Sequence, residues 1–297
     1  MLLSTQTDYF ARIYGDKKAV QMISEAGFDA IDFSMFQLTD EHHPLNGPDY
    51  DKYALSLRQT AQECGVIFNQ AHAPFPSYRE NDQQYNSRMF SLLVHSIEIA
   101  GILGAKTIIV HPVYLPDASA AKQFNMDFYG RFKPYCKQYN VIVALENMWN
   151  WDETNRRILP GICSSAAEFA EYVDALNSGY FTACLDLGHC SLVGESAADM
   201  IRELGCERLT ALHVHDNDGK QDLHTMPFFR NMDWQSIAEA LADIEYSGEL
   251  TLEADNFLRT FPKELLPSAA RFMHDIGRCL IGMIDKVKTQ KAVIHEQ

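Results

Sequence analysis

The sequence has few of the features that mark a non-globular chain or a chain held by disulfides. Its 297 residues contain no proline-rich, single-charge or low-complexity segment, and 46% of them are hydrophobic and 11% aromatic. A chain of this size and composition can bury a full core, which excludes disorder, collagen-like repeats and a small disulfide scaffold. The seven cysteines are scattered and form no C-x-x-C pair, so they indicate neither a disulfide framework nor a structural zinc knuckle.

Positive charge is also scarce. The 25 basic residues against 40 acidic ones give a formal charge of −15, which argues against a nucleic-acid surface, because clustered Lys and Arg supply most of the affinity for phosphates. No segment reaches the roughly 18 apolar residues of a membrane span, and the N-terminus has no charged leader with an apolar stretch behind it. We therefore expect a cytoplasmic protein without a membrane or nucleic-acid partner.

Short apolar runs rich in β-branched residues alternate with longer amphipathic stretches along the whole chain. This rhythm is typical of βα units around a parallel sheet. Strands are predicted over residues 2–5, 30–34, 66–71, 107–111, 141–146, 182–186, 209–213 and 249–253. Helices are predicted over residues 17–26, 53–63, 85–103, 126–138, 165–176, 197–204, 234–244 and 263–284.

Eight such units are most economically arranged as one closed (β/α)8 TIM barrel of the α/β class. A doubly wound open sheet is the alternative, but the first strand leads into no G-x-G-x-x-G turn and the chain has no P-loop. We predict a single barrel domain over residues 1–285, followed by a polar tail over residues 286–297 where fraying is expected.

Six consecutive predicted strands end in a histidine or an acidic residue, or are followed by one. These residues are His72, His111, Glu146, Asp186, His213 and Glu253. Because the carboxyl ends of barrel strands meet at one mouth, the side chains are expected to converge there. Three carboxylates in one desolvated site would repel one another unless a cation neutralised them.

The donor types predict a metal cofactor. A mixed set of imidazoles and carboxylates suits Mn²⁺, Co²⁺, Fe²⁺ or Zn²⁺, and the absence of thiolate motifs argues against a closed structural zinc. We expect a bound divalent metal, with Mg²⁺ also open.

Five motifs resemble those of one known superfamily. They are A-L-E-N at Glu146, D-L-G-H at Asp186, H-V-H-D at His213, D-L-H at Asp222 and L-E-A-D at Glu253. Together they resemble the xylose isomerase-like TIM barrels, a sugar isomerase and epimerase superfamily that also includes the type-IV apurinic endonucleases. The resemblance covers nearly the whole chain.

The resemblance implies roles for individual residues. In the isomerases and epimerases, the positions of Glu146, Asp186, His213 and Glu253 hold one catalytic divalent metal, and that of His189 binds substrate oxygens. In the endonucleases, further positions join these four to hold three zinc ions. Those further positions match His72, His111, His189, Asp222 and His224.

The favoured function is a metal-dependent isomerase or epimerase of a small sugar or sugar phosphate. Glu146 and Glu253 would pass a proton through a metal-stabilised enediolate. His189, His72, His111, Asp222 and His224 would be substrate contacts or the shell of a second metal.

Three alternatives stay open. One is a type-IV apurinic endonuclease-like zinc phosphodiesterase, which the lack of an Arg/Lys-rich insertion disfavours. The second is a keto-polyol dehydratase of the same superfamily, and the third a non-catalytic sugar-binding barrel. The segment after His213 lacks the arginine that ketose 3-epimerases use on substrate, so the subfamily is open too.

Two loops are candidate covers for the site. After the fifth strand, Trp149 and Trp151 could stack on a sugar or pack on the barrel rim. After the third strand, residues 75–79 are a second candidate lid. The sequence does not fix the oligomeric state, and a homo-oligomer stays open.

Overall fold

Eight parallel strands form the centre of the computed structural model, which describes residues 1–295, and a two-stranded hairpin lies beside them. The strands are β1 Leu3–Gln6, β2 Ala30–Ser34, β3 Ile67–His72, β4 Thr107–Ile109, β5 Ile142–Glu146, β6 Trp149–Asp152, β7 Arg157–Pro160, β8 Phe181–Asp186, β9 Leu209–His213 and β10 Leu250–Leu252.

The parallel strands follow one another around a barrel in the order β10-β1-β2-β3-β4-β5-β8-β9. Beyond the end of β9, Val214 pairs in parallel with Leu252 of β10. The Val214 carbonyl accepts a hydrogen bond of 3.1 Å from the Glu253 amide, and its own amide donates to Thr251 at 2.9 Å. These bonds join the two end strands, so the predicted (β/α)8 barrel is confirmed.

Helices surround the barrel. In residues 1–295 they are α1 Asp8–Tyr14, α2 Asp16–Ala26, α3 Tyr50–Glu63, α4 Gln83–Leu103, α5 Ala118–Gly130, α6 Lys133–Tyr139, α7 Ala166–Leu176, α8 Leu187–Val193, α9 Ala197–Arg208, α10 Trp234–Asp243, α11 Asp255–Leu258 and α12 Leu266–His295. Short 3₁₀ turns occur at Phe36–Thr39, Pro44–Asn46 and Lys263–Leu265.

Polar caps and glycines define many helix ends. The side chains of Asp82, Ser165 and Asp233 accept backbone N–H groups in the first turns of α4, α7 and α10, and such caps each stabilise a helix by about 1 kcal/mol. Helices α2 and α4 end at Gly27 and Gly104, which take the left-handed conformation with φ of +106° and +87°.

The core has two layers because successive side chains of a strand point to opposite faces. Ile108 points outward and packs with the helices in the main hydrophobic core, as do Val143 and Leu185. The barrel interior holds a separate small layer made of Ile109, Ala144, Cys184 and Ala211. This inner layer supports the polar side chains at the carboxyl ends of the strands.

The observed strands differ from the predicted ones by two residues at most, but one predicted helix was wrong. The helix expected over residues 126–138 is two helices, since α5 ends at Gly130 and α6 begins at Lys133. Pro134 lies in the first turn of α6, where its missing N–H costs nothing, whereas it would break a helix interior. The short helices α1 and α8, directly after β1 and β8, were not predicted.

Two further segments differ from the expectation. The loop predicted after the fifth strand is an antiparallel hairpin, in which Trp149 pairs with Pro160 and Asp152 with Arg157. Residues 286–295, expected to form a tail, continue helix α12 as far as His295, and residues 296–297 lie outside the described part. Across residues 1–295, no helix combines the length and apolarity needed to cross a bilayer.

Candidate metal centre

Four predicted ligands converge at the carboxyl mouth of the barrel. Each of Glu146, Asp186, His213 and Glu253 offers a donor atom, and these atoms all lie within 4.8 Å of one another. His213 Nδ1 lies 3.0 Å from Glu146 Oε1 and 3.0 Å from Glu253 Oε2. All four side chains are buried, so β5, β8, β9 and the residue after β10 bring three carboxylates and one imidazole to one point.

His213 offsets part of the negative charge in this cluster. Burial opposes ionisation of Glu146, but His213 and His111 outweigh it and hold the pKa of Glu146 well below its usual range. Burial likewise opposes ionisation of Glu253, yet His213 and His224 lower its pKa. Burial would lower the pKa of His213, whereas its contacts with Cys184, Glu253 and Glu146 hold it well above the usual value.

The donor set fits a divalent metal ion. Three carboxylates and one imidazole are the ligands that such ions bind in mixed oxygen and nitrogen sites. Glu146 Oε2 is buried and accepts no well-directed hydrogen bond, although His111 Nε2 lies 2.9 Å away. Without a metal ion, the positive charge between the carboxylates is the proton on His213. A bound metal ion would supply the positive charge in place of that proton.

His72 and His111 lie next to Oε2 of Glu146, whereas His213 lies next to Oε1. Their Nε2 atoms are 3.1 Å apart, and His72 Nε2 lies 3.6 Å from Glu146 Oε2. Burial lowers the pKa of His111. For His72, burial is outweighed by Glu146, which raises the pKa. The structure therefore places both histidines next to Glu146, which they can bond directly or share with a second ion.

A second cluster adjoins the first. Donor atoms of His189, His215, Asp222 and His224 lie within 4.8 Å of one another. Asp222 Oδ2 is 3.0 Å from His224 Nε2 and 3.6 Å from His189 Nε2. The His215 ring stacks on that of His224 at 4.1 Å, and His215 Nε2 lies 3.0 Å from Asp186 Oδ1. Asp186 thus connects the two clusters.

Asp222 and the histidines of the second cluster stabilise each other's charges. Burial opposes ionisation of Asp222, but the nearby His189 and His224 outweigh it and lower its pKa. Burial would lower the pKa of His224, whereas Asp222 and Glu253 raise it to about 10. Asp222 Oδ1 and His215 Nδ1 are buried without a hydrogen-bond partner. His215 was not among the predicted site residues, although the H-V-H spacing places it on the same face as His213.

Three supporting side chains were missed by the sequence reasoning. Gln6 Nε2 donates to Glu253 Oε1. Asn147 accepts the Asp186 amide at 2.7 Å and donates to the Asp186 carbonyl at 2.9 Å. Asp32 Oδ2 lies 3.5 Å from His213 Nε2, on the side of the ring away from the other carboxylates. Such outer partners fix the orientation of a metal-binding side chain.

One cavity of about 750 Å³ opens over both clusters. Eight of the predicted site residues line it, namely His72, His111, Glu146, Trp149, His189, Asp222, His224 and Glu253. Trp149 Nε1 lies 3.3 Å from Asp222 Oδ2, as donor to that carboxylate. Trp151 lies further along the hairpin, is 40% exposed and does not line the cavity.

A closed parallel barrel with acidic and histidine side chains at the strand ends has the architecture in which TIM-barrel enzymes hold their active sites. The chain belongs to the xylose isomerase-like TIM barrel family, whose sequence model matches residues 20–276. The resemblance inferred from the motifs is thereby confirmed.

The chain is also similar to individual proteins. The chain is 26% identical over 261 residues to the protein y4fM of Sinorhizobium fredii, covering 80% of this chain and 81% of the relative. It is 23% identical to a D-psicose 3-epimerase of Enterocloster bolteae, covering 80% and 76%. A crystal structure of a D-tagatose 3-epimerase-like protein superposes with a TM-score of 0.75 at 20% identity, covering 96% of this chain and 99% of that one.

Proposed function

We propose that the protein is a divalent-metal-dependent isomerase or epimerase of a sugar or sugar phosphate. The observation that carries the proposal is the placement of Glu146 and Glu253, two buried carboxylates that each lie 3.0 Å from the same nitrogen of His213. Glu146 ends β5 and Glu253 directly follows β10, and these two strands are three places apart around the barrel. The relative named as a D-psicose 3-epimerase supports the same chemistry.

Glu146, Asp186, His213 and Glu253 would hold the metal. A divalent ion bound there supplies positive charge that stabilises the negative charge developing on adjacent carbonyl and hydroxyl oxygens of a substrate. One of the two glutamates removes the proton from the carbon between those oxygens, and the same or the opposite glutamate returns it. Return from the opposite side inverts the carbon, which is epimerisation.

The remaining residues bind and orient. His189 lies in the cavity wall, and its Nδ1 is fixed by the Asn147 carbonyl at 2.8 Å, so its Nε2 side would hold a substrate hydroxyl. Gln6 would orient Glu253, and Trp149 would cover the sugar. The seven cysteines are free thiols, a state that suits a reducing compartment, and we keep the cytoplasm as the proposed location.

The direct test is hydrogen exchange. In heavy water, proton transfer through a glutamate replaces the hydrogen on the reacting carbon of D-psicose or D-tagatose with deuterium before net product accumulates. A hydride shift leaves that hydrogen in place. NMR of the recovered sugar distinguishes the two, and release of water from a keto-polyol would instead indicate the dehydratase alternative.

The second cluster is the observation that favours a zinc phosphodiesterase as the other candidate function. His189, Asp222 and His224 match the positions that complete a polynuclear site in the apurinic endonucleases. We nevertheless predict no incision of an abasic DNA duplex at physiological salt, because the net charge of −15 opposes binding of a polyanion.

A labelled duplex with one abasic site, incubated with zinc-loaded or manganese-loaded protein and resolved on a denaturing gel, checks this prediction. Asp222→Asn is the control variant, since it removes the carboxylate of the second cluster. Efficient incision that falls steeply with salt and is lost in Asp222→Asn would replace the isomerase proposal with the phosphodiesterase.

A further inference from the structure

The cavity over the metal centre has two chemically different walls. The first, called here the polar wall, is formed by Gln6, Asp8, Arg12, Asp255 and Arg259. Arg12 Nε lies 2.9 and 2.8 Å from the two carboxylate oxygens of Asp8. These residues come from β1, α1 and the start and end of α11, so the polar wall lies on the Glu253 side of the cavity.

The second wall is aromatic. It consists of Phe36, Phe75, Tyr78 and Tyr114, which lie on the loops after β2, β3 and β4. Within this aromatic wall, Phe75 is 45% exposed and Tyr114 is 50% exposed. When a bound apolar group covers aromatic rings that are otherwise exposed to water, burial of the apolar surface stabilises the complex.

A single side chain, His111, separates the aromatic wall from the proposed catalytic carboxylate of Glu146. The Phe75 ring stacks on the His111 imidazole at 4.8 Å and meets Phe36 edge-on at 4.9 Å. His111 Nε2 in turn lies 2.9 Å from Glu146 Oε2. A molecule whose reacting carbon lies between Glu146 and Glu253 therefore contacts both walls.

A free sugar finds most of its hydrogen-bond partners on the polar wall. It carries a hydroxyl on nearly every carbon, and the polar wall offers carboxylates, guanidinium groups and an amide to bind them. The rings of Phe36 and Phe75 themselves offer a hydroxyl no hydrogen-bond partner, although Ser77 and Glu80 also line the cavity on this side. The cavity of about 750 Å³ also falls in the range of roughly 300–1,000 Å³ that accommodates drug-sized ligands.

We propose that the substrate is a keto-sugar carrying an apolar aryl or alkyl substituent, with the sugar on the polar wall and the substituent on the aromatic wall. This inference rests on the proposed sugar chemistry for the reacting end of the molecule. The substituent would cover Phe75 and Tyr114, the two exposed rings of the wall.

The test compares two probes that share a sugar and differ in the substituent. Isothermal titration with 4-nitrophenyl β-D-glucopyranoside and with methyl β-D-glucopyranoside measures binding without turnover. We expect the aryl glucoside to bind about tenfold more tightly, a difference of about 1.4 kcal/mol. In a Phe75→Ala, Tyr114→Ala double variant this preference falls to about twofold or less.

Phe272→Ala is the matched control. Phe272 is 49% exposed on α12 and packs against Phe229 at 6.4 Å and Phe257 at 6.2 Å, outside the residues that line the cavity. Its loss leaves the preference at about tenfold. A circular dichroism spectrum and a melting temperature like those of the wild type show that the double variant is folded.

A wild-type preference of twofold or less overturns the inference, and so does a tenfold preference that survives in the double variant. These outcomes are separate from failure of the proposed function. Absence of hydrogen exchange in heavy water would contradict the isomerase chemistry, whereas the preference between the two glucosides is measured without any reaction.

Discussion

A metal-loaded Glu146→Gln, Glu253→Gln double variant exchanges the carbon-bound hydrogen of D-psicose or D-tagatose with solvent about 10²–10⁴-fold more slowly than the wild-type protein, the usual loss when a positioned acid or base is removed. Glutamine keeps the size of the side chain and one oxygen but cannot accept the proton. Exchange is measured in the two single variants as well, to decide which glutamate removes the proton.

The same variants need a measurement of metal content, because both glutamates are also proposed ligands. Only a loss of exchange with the metal retained supports their assignment as bases. Glu195→Gln is the control, since Glu195 is an exposed glutamate in the turn after α8. This variant should exchange the hydrogen of the sugar as fast as the wild-type protein does. Undiminished exchange in a metal-replete double variant would show that the base is elsewhere, with His189 and His215 as the next candidates.

The convergence of the six strand-end residues was predictable from the chain pattern alone. In a parallel barrel, the carboxyl ends of all strands face one mouth, so a charged residue that follows each apolar run is placed there whatever the details of the helices. Glu146 and Asp186 are the last residues of β5 and β8, and Glu253 directly follows β10. An error of two residues in a strand boundary does not move such a side chain to another part of the fold.

The supporting residues were not predictable in the same way. Asp32 lies within β2 rather than at its end, and the register between β2 and β3 shifts between Ile31 and Asp32, which aligns Asp32 with Gln70. Gln70 Nε2 donates to Asp32 at 3.1 Å. A bulge of this kind depends on the pairing of two strands, so the sequence of either strand alone does not reveal it.

The short helix α8 illustrates a local signal that could have been used. Asp186 accepts the His189 amide at 2.7 Å, so the D-L-G-H motif contains its own helix cap. A Cβ atom at Gly188 would lie 2.0 Å from His215 Cε1, which explains why glycine occupies that position. The glycine and His215 are close in space but not in sequence, so the place of His215 in the second cluster became visible only in the structure, whereas His189, Asp222 and His224 were predicted from the resemblance.

The metal itself should stabilise the protein strongly. A ligand that binds only the folded state at 1,000 times its dissociation constant adds about 4 kcal/mol, and each kcal/mol raises the melting temperature of a large domain by roughly 2–4 °C. We therefore expect Mn²⁺, Co²⁺ or Zn²⁺ to raise the melting temperature of chelator-treated protein by about 8 °C or more. Elemental analysis of protein purified without chelator should find at least one divalent ion per chain.

Asp186→Asn tests the assignment of this site. The variant loses one of three carboxylates around His213 and also the charge that His215 contacts, so metal binding weakens at least tenfold and the metal-induced rise in melting temperature shrinks. Asp117→Asn is the matched control, because Asp117 is an exposed cap of α5 and asparagine caps a helix equally well. A metal-free protein whose melting temperature does not respond to Mn²⁺, Co²⁺ or Zn²⁺ would contradict the metal centre. A rise as large in Asp186→Asn as in Asp117→Asn would place the ion at other residues.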